Sequence, residues 1–271
     1  MKSTAIDNCL YTNYTTYGDG RPVVLIHGVA ASLYDWASLA PELAANAYRA
    51  IAPDLLGHGE SAKPQDAACY HIEAIYTHLA GWLDDLHLDQ PVILVGHSLG
   101  GYLSLLHALR APQKVEAAVL INPLFSPKQL SPLLNVVRRR PDISARLVRK
   151  APLWLIDLAL GWDPINASVF DPQVRKQIAY DYKRASPYFV HVAGDIPDLS
   201  SQLGSITQPV QLIYGDLDMT LNPHSFPSLA RLLPNAGTAV ISGSGHQPHI
   251  GYPTRVNRLV LEFLNGVVEN G

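Results

Sequence analysis

The run Pro91-Val92-Ile93-Leu94-Val95-Gly96-His97-Ser98-Leu99-Gly100-Gly101 settles the architecture of the 271-residue chain. An apolar, β-branched segment stops at a Gly-x-Ser-x-Gly turn, and helix-forming residues resume at once from Tyr102 to Arg110. The pattern predicts a strand, a sharp turn and a helix, with Ser98 at the apex. Glycine at 96 and 100 suits a turn so tight that Cβ atoms at those positions would collide.

The same kind of short apolar run recurs on both sides of this turn. Pro22 to Ile26, Arg49 to Pro53, Val115 to Ile121, Pro209 to Tyr214 and Thr238 to Ile241 each read as a strand buried on both faces. Leu10 to Tyr17 suits a strand too, with Asp7-Asn8 able to turn a hairpin back onto Thr4 to Ile6. Between the runs lie helical spacings. Trp36 to Ala47 carries Leu39 and Leu43, and Ile72 to Leu88 sets Ile75, Leu79, Trp82, Leu83 and Leu86 on one face. Pro227 to Leu233 reads as a further helix, and Val256 to Val268 closes the chain with another. Buried strands alternating with amphipathic helices predict an α/β fold, a mostly parallel central sheet of about eight strands covered on both faces.

The alternation breaks from Leu124 to Thr207. A structureless loop of that length is implausible, and the helix-like spacing there predicts an inserted helical lid. The expected organisation is therefore a core in two parts, residues 1–123 and 208–271, with a lid subdomain at 124–207. Arg138-Arg139-Arg140, Arg146, Arg149 and Lys150 read as a solvated helix face, and Pro152 to Leu158 either lines a substrate cleft or packs the lid down.

Composition narrows the function classes. Hydrophobic residues make up 48% of the chain and charged ones 16%, enough apolar material for a sizeable core. A formal net charge of -3 supplies no global field for nucleic acid or an anionic membrane, so neither is an expected partner. Cys9 and Cys69 are too few for a disulfide framework and lack metal-ligand spacing, and read as small hydrophobes. Met1 to Tyr17 holds no apolar core of signal-peptide length, and no run is long enough to span a bilayer; a soluble, cytoplasmic protein is the expectation.

A serine hydroxyl needs a base within hydrogen-bonding distance, and histidine has the right proton affinity. Among the eleven histidines, His246 follows the run Thr238 to Ile241 in the small-residue loop Ser242-Gly243-Ser244-Gly245. Loops leaving the carboxyl ends of parallel strands converge on one edge, where Ser98 also stands. His249 and His224 are the nearer competitors. The imidazole in turn needs a carboxylate, and Gly215-Asp216-Leu217-Asp218 offers two after the preceding strand. Asn122, at the other suitable strand end, cannot hold a negative charge.

With these landmarks the chain resembles the α/β-hydrolase superfamily over essentially its whole length. The resemblance is carried by His27-Gly28, Asp54-Leu55-Leu56-Gly57-His58-Gly59-Glu60-Ser61, Gly96-His97-Ser98-Leu99-Gly100-Gly101, Gly215-Asp216-Leu217-Asp218 and Gly245-His246. It implies Ser98 as nucleophile, His246 as base and Asp218, rather than Asp216, as acid. It further implies an oxyanion hole from the backbone N–H groups of Val29 and Leu99. His27, Gly28 and His97 are expected near the substrate, and the Asp54 to Ser61 loop is expected to be structural.

The implied reaction is two-step acyl transfer without metal or organic cofactor, on a small to medium, largely apolar carboxylic ester or a related carbonyl compound. Serine at 98 speaks against relatives with an aspartate nucleophile. C–C bond hydrolysis of ring-cleavage dienoates, lactone or amide hydrolysis and perhydrolysis use the same fold. The C–C hydrolases often carry Asn before the nucleophile, and His97 here tilts the reading toward esters. A ligand-binding receptor module is the reading from another class, one that has no need of an intact triad.

Overall fold

A computed structural model describes residues 10–161 and 168–270. Seven strands form one sheet: β1 (Tyr14–Tyr17), β2 (Arg21–Ile26), β3 (Tyr48–Pro53), β4 (Val92–His97), β5 (Val115–Ile121), β6 (Val210–Gly215) and β7 (Ala236–Ile241). Their spatial order is β1-β3-β2-β4-β5-β6-β7, with β1 antiparallel to β3 and every other pair parallel. The hairpin expected from Thr4 to Ile6, and with it an eighth strand, lies outside the described residues, as does Cys9. Cys69 is a free, half-buried thiol.

Strand periodicity divides the sheet residues between two cores. Val24, Ile26, Leu94 and Leu120 face helix α2 (Ile72–Asp85) and helix α3 (Leu99–Arg110), where Ile75, Leu79, Leu103 and Leu106 meet them. Their neighbours Val23, Leu25, Ile93, Val95 and Val119 face the opposite layer, against Leu39 and Leu43 of α1 (Leu39–Ala45) and the C-terminal helix Pro253–Asn270, through Val256, Val260 and Leu264. Among the described residues no helix is long and apolar enough to cross a membrane.

The chain places β3 on one side of β2 and then crosses to place β4 on the other. That reversal opens a crevice beyond the carboxyl ends of β2 and β4. Pairing of Ile26 with Gly96 and of His97 with Ile121 brings these ends level, so the loops after β2, β4 and β5 leave at one height.

The expected insertion between β5 and β6 is helical: α4 (Pro132–Arg139), α5 (Pro141–Lys150), α6 (Leu153–Gly161) and α7 (Pro172–Arg184), followed by a 3-10 segment, Pro187–Gly194. It is fastened to loops beside the crevice. Ser32 Oγ donates to Asp181 Oδ2 at 2.9 Å, Ser186 N–H donates to the Gly57 carbonyl at 2.7 Å, and Arg184 pairs with both Asp181 and Glu60.

The loop after β3 is held by one carboxylate. Asp54 accepts from Leu33 N–H, Glu60 N–H and Asn13 Nδ2, each at 2.8 Å, and Gly59, with φ +48, leaves no room for a Cβ beside it. Burial pushes the Asp54 carboxyl up, but the adjacent His27 and these donors outweigh it and keep it below the ordinary range. Asp54 thus ties three segments of chain together. Asp54→Ala should lower the unfolding free energy by about 3 kcal/mol, because three partly buried donors lose their acceptor. Urea unfolding of the two proteins measures it.

Candidate active site

Ser98 stands between β4 and α3 with φ 52 and ψ -111, a region that residues with a side chain rarely enter. Three backbone bonds of 3.1 Å hold it there: Ser98 N–H to the Ile121 carbonyl, and Tyr102 N–H and Leu124 N–H to the Ser98 carbonyl. The flanking glycines are required by contact. A Cβ on Gly96 would enter the Gly100 carbonyl, one on Gly100 would enter the Ile26 carbonyl, and one on Gly101 would strike Pro123.

The loop after β7 returns His246 to this point. His246 Nε2 lies 3.0 Å from Ser98 Oγ, and its Nδ1 lies 2.7 Å from Asp218 Oδ2. A buried, ionised carboxylate accepts only, so Nδ1 carries the proton and Nε2 presents its lone pair to the serine hydroxyl. Burial raises the Asp218 carboxyl, yet the His246 ring, Leu221 N–H and the Asn122 amide more than compensate and hold it below the usual range. Asp218 Oδ1 takes the N–H groups of Thr220 and Leu221 at 2.8 and 2.9 Å. Asp216, the competing carboxylate, is exposed and accepts Gly243 N–H instead. His224 is also exposed.

Two supporting groups escaped the sequence reading. Asn122, dismissed there as uncharged, donates Nδ2 to Asp218 Oδ2 at 2.7 Å and accepts Gly215 N–H at 3.1 Å, fully buried. A neutral amide is suited to this place because it orients the acid without competing for its charge. Its position directly after an apolar strand was the available signal.

The second group lies behind the turn. Asp35, His97 and His249 are buried, and Asp35 Oδ2 is 3.7 Å from His97 Nδ1 and 3.8 Å from His249 Nε2. They are the one set of possible metal donors among the described residues. His97 Nε2 donates to the His246 carbonyl at 3.0 Å, and the rings of Trp36, His249, His97 and His246 follow one another at 5.0, 4.5 and 4.9 Å between centroids. The His97 side chain therefore braces the base from behind; chain direction at the turn sends it away from the side on which Ser98 Oγ projects. His97, expected near the substrate, is buried in this contact.

His27, also expected near the substrate, is buried as well. Its ring is fully buried, with Nε2 accepting Leu55 N–H at 3.0 Å and Nδ1 donating to the Gly28 carbonyl at 2.7 Å. Because a trans peptide points its N–H opposite to its C=O, this bond turns Val29 N–H away from the His27 ring. Gly28 itself packs on His97 and the Ser98 Cβ, where a side chain would not fit. Leu99 N–H, the first of α3, has no intrahelical acceptor and sits at the positive end of the helix dipole.

Comparison with known proteins follows the same lines. A family model described as the alpha/beta hydrolase fold matches residues 21–253. The 2-hydroxymuconate semialdehyde hydrolase of Pseudomonas sp. strain CF600 is 28% identical over 258 residues, covering 93% of this chain and 90% of its own. The 2-hydroxy-6-oxo-2,4-heptadienoate hydrolase of Pseudomonas putida is 41% identical over 129 residues, 46% of either chain. Among solved structures, a thermophilic esterase from Thermogutta terrifontis superposes with a TM-score of 0.82 at 27% identity, covering 95% of this chain and 94% of its own.

Two outcomes test this site. If Asp218 orients and charges His246, Asp218→Asn should cut kcat by about 10³–10⁴, the loss typical of a wrong imidazole tautomer, whereas Asp216→Asn should change it less than about fivefold. Steady-state kinetics on any turned-over substrate separates them. A second outcome concerns pH. Burial pushes His97 down to about 4, with His249 adding to the effect, and burial with His27 pushes His58 down to about 3. The unfolded chain binds protons near pH 6.5 that these folded rings refuse, so stability is full above that pH and falls as pH drops from 6.5 toward 4. Urea midpoints across that window should show the decline, and His58→Gln should flatten it.

Proposed function

The chain belongs to the α/β-hydrolase family, and on that footing we propose that it is a serine hydrolase cleaving a carboxylic ester through Ser98, His246 and Asp218. The observation that carries the reading is the unbroken line Ser98 Oγ, His246 Nε2, His246 Nδ1, Asp218 Oδ2, with separations of 3.0 and 2.7 Å.

In the first step Ser98 Oγ attacks the substrate carbonyl while its proton passes to His246 Nε2. The buried Asp218 carboxylate stabilises the imidazolium that forms. The oxyanion would be met by Val29 N–H and Leu99 N–H, the latter at the first position of α3, where free amides and the helix dipole favour negative charge. Collapse expels the alkoxide, which takes the proton from His246. Water then gives its proton to the same nitrogen, attacks the acyl-enzyme, and Ser98 is regenerated as the acid leaves.

An apolar substrate is supported by the exposed side chains of Val29 beside the Gly28 turn and of Leu217 and Met219 on either side of Asp218 in the chain. We assign residues 124–207 as a lid subdomain between two halves of the core. Its Ala145, Ala185, Phe189 and Val190 pack on Ala30, one residue beyond Val29, so the lid and the oxyanion loop share a wall.

A second reading, C–C hydrolysis of ring-cleavage dienoates, has its own support: two relatives are named as a 2-hydroxy-6-oxo-2,4-heptadienoate hydrolase, 41% identical over nearly half the chain, and a 2-hydroxymuconate semialdehyde hydrolase. Esters are favoured because His97, not Asn, precedes Ser98 and is committed to the His246 carbonyl.

A p-nitrophenyl ester series run beside a 2-hydroxy-6-oxo-dienoate decides between them. kcat/KM should rise with acyl length to a limit and exceed that for the dienoate; the reverse order would assign C–C hydrolysis. A fluorophosphonate probe should label the wild type and not Ser98→Ala, and an unlabelled wild type would remove Ser98 as the nucleophile.

A further inference from the structure

The insertion turns an apolar surface outward that its own packing does not require. On α4, Leu133 and Val136 are exposed one turn apart, and the partly buried Val137 packs toward the 187–194 segment. On α5, Ile143 and Leu147 repeat the arrangement at a spacing of four, with Ala145 and Val148 packed inward on the same segment. Both helices pack on the 187–194 segment through their inward residues. After the joint at Ala151-Pro152, α6 exposes Leu153, Trp154, Leu155 and Leu158 around a buried Ile156. Single exposed leucines are ordinary on a protein surface, but three successive helices with outward apolar rows are not.

The charge beside these rows has one sign. Between residues 138 and 150 stand six arginines and lysines against Asp142 alone. None of the six has a carboxylate partner among the described residues, and Asp142 is turned to His191. Residues 124–207 carry eleven basic against seven acidic side chains, while the rest of the chain carries nine against sixteen. The positive charge of a net-negative protein is thus concentrated where its exposed apolar side chains are.

Helices with leucine and tryptophan on one face and arginine or lysine at the rim are suited to lying in a lipid–water interface, the apolar row among acyl chains and the cations against phosphate headgroups. A second copy of this chain fits the patch less well, since face-to-face pairing would bring two sets of six cations together. Nucleic acid would satisfy the cations and leave the apolar rows in water. We propose that α4, α5 and the start of α6 form a peripheral docking surface for an anionic phospholipid bilayer. The protein lies on this surface without crossing it. Taken with the ester-hydrolase reading, on which this one further point rests, the docked lid would set the Val29 side of the site close to the interface and favour amphiphilic esters held there.

Co-sedimentation with vesicles tests the docking surface without using activity. The full-length protein should bind vesicles of 30% phosphatidylglycerol in phosphatidylcholine at least tenfold more tightly than pure phosphatidylcholine, and 0.5 M NaCl should reduce that preference. The double variant Leu147→Glu with Trp154→Glu should lose binding at least tenfold, and replacement of Arg138, Arg139 and Arg140 by Gln should abolish the preference for anionic vesicles. Circular dichroism melting curves matching the wild type establish that the variants are folded; any that melt early are replaced by Leu147→Ser and Trp154→Ser. No sedimentation at millimolar anionic lipid, or binding indifferent to these substitutions, would overturn the proposal. So would a concentration-dependent dimer in light scattering that the Leu147 and Trp154 variants dissolve, which would make a second copy the occupant.

Discussion

Ser98 is held in a backbone conformation that costs about 1–3 kcal/mol, and much of the surrounding structure exists to keep it there. The three bonds on its peptide groups come from β5, from α3 and from the start of the insertion, so the turn is clamped from three directions. Glycine at 96, 100 and 101 is the steric counterpart of that clamp, since each lets a backbone or ring approach within the space of a missing Cβ. The strained turn stands at the sheet edge, and α3 begins directly after it, its first N–H groups free of intrahelical acceptors. The Ser98 geometry on which the proposed reaction relies is thereby built into the fold.

A rigid serine is useful only if the base arrives at the right depth. His246 is carried on a loop yet is largely buried, pinned at both ring nitrogens, with its carbonyl held by His97. Behind it the buried Asp35, flanked by His97 and His249, is a charge that the protein retains far from water. Burial raises the Asp35 carboxyl, but the two imidazoles prevail and hold it well below the ordinary carboxylate range. The cluster joins the Leu33–Trp36 segment after β2 to the loop after β7, across the sheet edge from the reacting groups. Asn122 performs the matching service on the other side, joining β5 to the turn that bears Asp218.

The insertion shows a different balance. Its flanking parts are built into the main core through buried residues such as Phe125, Leu130, Ile196, Leu199 and Leu203, and polar ties, among them Ser32 with Asp181 and Arg184 with Glu60, add to this. Its outer faces are apolar where a solvent-facing helix would ordinarily be polar. The insertion thus packs against the Ala30 loop on its inner side while its outer side carries exposed apolar residues.

Much of the fold was legible in the chain because buried strands and amphipathic helices write their periods directly into residue order. The runs at 22–26, 92–97 and 115–121, the Gly-x-Ser-x-Gly turn and the histidine after the last strand all depend on local chemistry: β-branching, missing Cβ atoms, small residues in a tight loop. The roles of Asn122, Asp35, His27 and His97 do not, because each is decided by partners more than twenty residues away, or by which way a peptide plane is rotated. His27 and His97 looked like substrate contacts by proximity in sequence, and packing turned both rings inward. The outward rows of α4, α5 and α6 were likewise undetermined, since an apolar helical stripe reads the same whether it faces a core or water. Sequence determined which residues could do the chemistry; tertiary structure decided which of them face the reacting space, because only packing assigns each side chain a direction.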